Sequence, residues 1–116
     1  GDLSQGRTAA AEDFARRSGA VVVLKGPGTV VAGPDGRCRV NTTGNCGMAK
    51  GGSGDVLSGV VLALLGLGMD AFDACCCAVW LHGRAGDLAA QEKGQWGMTP
   101  TDLLERLPQA LREVTE

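Results

Sequence analysis

Four glycines fall within eight residues, Gly47, Gly51, Gly52 and Gly54, and a single acid, Asp55, follows them directly. An apolar run begins at once, "VLSGVVLALLG", too long for one strand and therefore a helix from Asp55 to Leu65. A helix N-terminus exposes unpaired N–H groups and about half a positive charge. Glycines before it let the backbone approach a ligand closely, so Gly51-Gly52-Ser53-Gly54 reads as an anion site suited to phosphate. It is neither a P-loop nor a dinucleotide fingerprint: Lys50 precedes the glycines, and no G-x-G-x-x-G stands in a βαβ context. Asp55 would repel a phosphate and so must face something else. It is either a first-turn acid that caps the helix or a general base for a hydroxyl attacking phosphorus.

The elements around this stretch can be read from pattern. Arg7–Gly19 has helical composition, with Ala10, Phe14 and Ala15 as its stripe and Gly19 as its C-cap. Ala20–Gly26, "AVVVLKG", is a β-branched run of the kind buried on both faces of a sheet. Thr29–Asn41 reads as two short strands about the turn Pro34-Asp35-Gly36. A long helix is expected over Asp70–Gln91, capped by Asp70. Thr99-Pro100-Thr101-Asp102 starts a last helix, which Pro108 should interrupt. The order helix, strand, hairpin and three helices is that of an α/β fold, with few strands to cover the apolar one.

The totals agree with one such domain over residues 1–116. Hydrophobic residues make up 44% of the 116, enough for a core, while 19 glycines signal tight turns and close approaches. Net charge is −2 with scattered basic residues, and aromatics are 3%, which argues against nucleic acid as a partner. No apolar stretch is long enough for a membrane helix. The adjacent Cys75, Cys76 and Cys77 point in different directions on a helix and cannot converge on a metal; they read as small packing residues. With five cysteines, an odd count, the thiols are expected to be reduced and the compartment cytoplasmic. Asn45 can order the loop and is a candidate contact to the substrate.

The run "NTTGNCGMAKGGSGDVLSG" resembles the signature of the ADP/ATP-dependent NAD(P)H-hydrate dehydratases, members of the ribokinase-like superfamily. "LKGPGTVVAGPDG" before it, and "LHGRAGDLAA" and "GMTPTDLLERLP" after it, resemble the same family in the same order. The resemblance implies a C-terminal portion of a ribokinase-like fold that repairs hydrated NADH or NADPH. ADP or ATP with Mg²⁺ would phosphorylate the ring hydroxyl, and phosphate elimination would restore the reduced cofactor. By the same resemblance, Lys25, Gly26, Pro27, Gly28 and Thr29 contact the adenine nucleotide, as do Gly52, Ser53 and Gly54, with Gly54 the glycine of the anion hole. Asp55 would take the hydroxyl proton of the hydrated cofactor. The earlier strands and a Thr-Pro-His segment of the family are absent, and the only histidine, His82, falls in the long helix. A kinase of a vitamin precursor or sugar, or a non-catalytic nucleotide-binding fragment, would use the same glycines. A homo-oligomer is expected.

Overall fold

A computed structural model describes residues 2–26, 28–45 and 53–115. The elements run α1 (Asp2–Ser18), β1 (Val22–Leu24), β2 (Val30–Ala32), β3 (Cys38–Val40), α2 (Ser53–Gly66), α3 (Ala71–Lys93) and α4 (Pro100–Thr115). The three strands form one antiparallel sheet in the order β1-β2-β3, with Val23 opposite Val31 and Val31 opposite Arg39.

Strand alternation sorts the apolar residues into two layers. Val22, Leu24, Val30 and Ala32 face α1, where Ala11 and Ala15 are buried. Val21, Val23 and Val31 face α2 and α3, against Leu57, Phe72, Ala78 and Val79. The buried strand is β2; β1 is half-buried throughout, because among the described residues β2 is its only neighbour. The expected stripe on α1 also shifts. Ala11 and Ala15, four apart, meet the sheet, whereas Ala10 and Phe14 are exposed. A third cluster lies between α3 and α4, with Leu81, Ala85, Leu88, Ala89, Met98, Leu103 and Ala110 buried and Trp80 packed against it.

Local chemistry explains the boundaries. Gly19 takes φ +71° and donates its N–H to the Ala15 carbonyl at 2.9 Å, ending α1 as a left-handed C-cap. The hairpin closes through Gly36 N–H to the Gly33 carbonyl at 3.3 Å and Gly33 N–H to the Arg37 carbonyl at 2.8 Å. The Arg37 guanidinium then ties this hairpin to the start of α3. It pairs with Asp35 at 2.8 Å and Asp70 at 3.0 Å, and lies 4.6 Å above the Phe72 ring. Asp70 caps α3 by accepting the Asp73 N–H at 3.2 Å. Thr99 and Asp102 form a reciprocal cap on α4: Thr99 N–H donates to the Asp102 carboxylate at 2.8 Å, and Asp102 N–H to Thr99 Oγ1 at 3.2 Å.

One expected break does not occur. α4 runs through Pro108 without interruption. Pro108 and Leu104, whose carbonyl loses its helical donor, are both exposed, so water can serve that carbonyl. Leu103 and Ala110, fully buried on the opposite face, hold the helix to α3. No helix among the described residues is long and apolar enough to cross a membrane.

Candidate functional site

The chain leaves β1 through Lys25 and Gly26 and re-enters the sheet after Gly28 and Thr29. Gly26 has φ +142° and Gly28 φ +66°, backbone that side chains rarely tolerate. Thr29 Oγ1 donates to the Gly26 carbonyl at 3.2 Å and closes the turn. Arg7 of α1 braces it from below, its Nη2 donating to the carbonyls of Leu24 at 3.3 Å and Lys25 at 3.1 Å. A β-carbon on Gly26 would lie 2.9 Å from that same Nη2, so the arginine occupies the space a side chain would need. Pro27 lies outside the described residues.

α2 begins beside this turn. A β-carbon on Gly54 would stand 2.8 Å from Lys25 Nζ. The lysine ammonium therefore sits on the first turn of α2, where the free N–H groups carry partial positive charge. Two positive ends meet at one corner, an arrangement that an anion held between them would relieve. Asp55, in the same first turn, is exposed. Lys25 and Gly54, far apart in sequence, are thus brought together. Gly52 falls outside the described residues, as does the side chain of Ser53, so their expected contacts have no structural counterpart here.

The approach to the glycine stretch is fastened along α3. Asn41 Nδ2 donates to the Val79 carbonyl at 3.4 Å and the Thr43 carbonyl at 3.2 Å. Thr43 Oγ1 donates to the Trp80 carbonyl at 3.0 Å. Thr43 lies so close to Gly83 that a β-carbon there would overlap its hydroxyl and stand 2.8 Å from its backbone carbon. Asn45 is held by Asp87 of α3: Asn45 Nδ2 donates to Oδ1 and the Gly44 N–H donates to Oδ2, each at 3.0 Å. Arg7 and Asp87 carry no recognisable spacing to the residues they serve, and sequence reasoning missed both roles.

Two further features bear on chemistry. A cleft of about 560 Å³ opens between β3 and α3, with Arg39, Val40, Asp73, Cys76 and Trp80 in its wall. None of Lys25, Gly54 and Asp55 borders it, so the anion corner is separate from this cleft. Burial pushes the Cys75, Cys76 and Cys77 thiols up, and Cys38 likewise, leaving them protonated packing groups at neutral pH. Among the described residues, no group of three or more His, Cys, Asp or Glu could hold a metal.

A family model described as NAD(P)H-hydrate dehydratase matches residues 1–109. The bifunctional NAD(P)H-hydrate repair enzyme Nnr of Thermofilum pendens is 49% identical over 115 residues, 99% of this chain and 22% of that protein. The ADP-dependent (S)-NAD(P)H-hydrate dehydratase of Bacillus subtilis is 39% identical over 107 residues, 92% of this chain and 39% of its own length. A crystal structure of the ADP/ATP-dependent NAD(P)H-hydrate dehydratase from Bacillus subtilis, co-crystallized with ATP/Mg²⁺, superposes with TM-score 0.89 at 38% identity. That match covers 96% of this chain and 40% of the solved one.

Proposed function

The chain belongs to the NAD(P)H-hydrate dehydratase family, and from that premise we propose that it serves the nucleotide-dependent repair of hydrated NADH and NADPH. The relatives' length supports treating residues 1–116 as the C-terminal portion of one ribokinase-like domain, which supplies the nucleotide side of the site and the base. The carrying observation is the corner where Lys25 Nζ meets the first turn of α2 at Gly54. A transferring phosphoryl group placed there would be held by the ammonium and the helix N–H groups. Lys25, Gly26, Gly28 and Thr29 would take the rest of the adenine nucleotide.

Asp55 stands on the same turn but exposed, available to an acceptor hydroxyl. It takes the proton as the ring hydroxyl of the hydrated nicotinamide attacks phosphorus. ADP or AMP departs from the phosphorus; the phosphate then leaves the ring carbon with the C–O electron pair as inorganic phosphate, the adjacent ring carbon gives up a proton to solvent, and the ring regains its double bond. Mg²⁺, when bound with the nucleotide, would neutralise phosphate charge. Unpaired thiols at Cys38, Cys75, Cys76 and Cys77 are in keeping with the cytoplasm as the compartment.

The test is a chimera in which this chain replaces the matching portion of the Bacillus subtilis dehydratase. It is incubated with hydrated NADH, ADP or ATP, and Mg²⁺, and the return of reduced-nicotinamide absorbance is followed. Recovery of cofactor with release of inorganic phosphate is expected. A folded chimera that binds ATP but leaves a stable phosphate ester would instead identify a kinase, and one that does neither chemistry would refute the reading.

A further inference from the structure

We infer that Asp87 is a positioning residue for the phosphate corner, acting through Gly44 and Asn45; this rests on the nucleotide reading above. Its two carboxylate oxygens are used separately: Oδ2 accepts the Gly44 N–H and Oδ1 accepts Asn45 Nδ2, both at 3.0 Å. Gly44 has φ +109°, backbone that L side chains rarely adopt, at the point where the carboxylate grips it. Asn45 is the last described residue before the segment that leads into α2. The last described residues before α2, Gly44 and Asn45, are therefore held by a side chain on a different helix.

That helix is a firm anchor. α3 is the longest element, and Ala85, Gly86, Leu88 and Ala89 around Asp87 are buried. Upstream, the same loop is held to α3 by Asn41 on the Val79 carbonyl and Thr43 on the Trp80 carbonyl. Those bonds could dock the loop without any charge at position 87. The carboxylate adds a grip on both the backbone and the side chain at the last residues before the site. An acceptor-only group is required, because both partners are N–H donors. An amide at 87 keeps one acceptor oxygen but turns a donor toward the second partner.

The test uses amide NMR of the chimera described above, as parent, and of its Asp87→Ala and Asp87→Asn variants, together with ATP titration followed at Gly54 and Asp55. In Asp87→Ala the Gly44 amide should exchange about tenfold faster, the scale of one lost charge-assisted hydrogen bond, while amides of Ala85 and Ala89 are unchanged. The same variant should need about tenfold more ATP for half-saturation, converting one such bond into lost affinity. Asp87→Asn should fall between it and the parent chimera. Unchanged Gly44 exchange would overturn the clamp. Faster exchange with unchanged ATP affinity would overturn the positioning role. If the parent chimera itself gives no response to ATP, the nucleotide reading fails, and the positioning role fails with it. If only the variants match the parent, the inference alone fails.

Discussion

At the scale of single residues, the site depends on where charge is placed. Asp55 is exposed beside the corner where Lys25 meets α2, so the proposed reading gives it to the acceptor and not to the nucleotide. Asp55→Asn in the chimera should leave ATP affinity close to unchanged and cut turnover by about 10²–10⁴-fold, the usual cost of losing a general base. Near-normal turnover would remove Asp55 from the mechanism. Gly54→Ala acts differently. Its methyl would meet only the tip of a flexible side chain, Lys25 Nζ, so the fold should survive with the ammonium displaced. ATP and ADP affinities measured by calorimetry should both fall; equal affinities would show that phosphate is not held there. The glycines and Asp55 stand out as candidates in the sequence because their types suit close backbone approach and charge at a helix start, whereas Lys25 is singled out by the family resemblance alone. Arg7 and Asp87 are marked by neither, since one acts on carbonyls of β1 from α1 and the other on a loop from α3.

At the scale of elements, sequence-local chemistry was the readable part. Gly19, Asp70 and the Thr99–Asp102 box close their helices as expected, because a cap involves residues at most four apart. Pro108 and the α1 stripe were misread because tertiary packing decides them: Leu103 and Ala110 carry α4 through the proline, and the sheet selects Ala11 over Phe14. The α4 cap also gives stability a pH dependence. The Thr99 N–H, then its hydroxyl, hold the Asp102 carboxyl below the usual aspartate range. A carboxyl depressed in the folded state contributes stability above its unfolded pKa, about 3.9, and loses it as pH falls through the folded value. Thermal melts should therefore show Asp102→Asn a few degrees below the parent chain at neutral pH, with the gap closing below about pH 4. A gap of constant size down to strong acid would mean the carboxylate charge is not what caps α4.

At the scale of the whole molecule, much apolar surface is left facing outward. Phe14 is 64% exposed, Leu62 69% and Leu67 80%, and β1 has a neighbour on one edge only among the described residues. The chain spans 22% of the Thermofilum pendens relative and 39% of the Bacillus subtilis dehydratase. An unpaired apolar strand beside exposed leucines favours self-association. Sedimentation of the purified chain should thus find oligomers or larger species. Alone it should restore no reduced cofactor, because one partner in the transfer would be unheld, forfeiting up to about 7–11 kcal/mol of positioning. A monodisperse monomer with full activity would contradict both expectations. The meeting of Lys25 with the start of α2 has a consequence for folding as well as chemistry. An anion held there would bind the native state and not the unfolded chain, so anion binding and folding are linked equilibria. A phosphate-bearing ligand at about a hundred times its dissociation constant adds about 2.7 kcal/mol to native stability. The melting temperature should then climb with ATP or inorganic phosphate and stay flat with chloride at matched ionic strength, making heat resistance a direct gauge of how full that corner is.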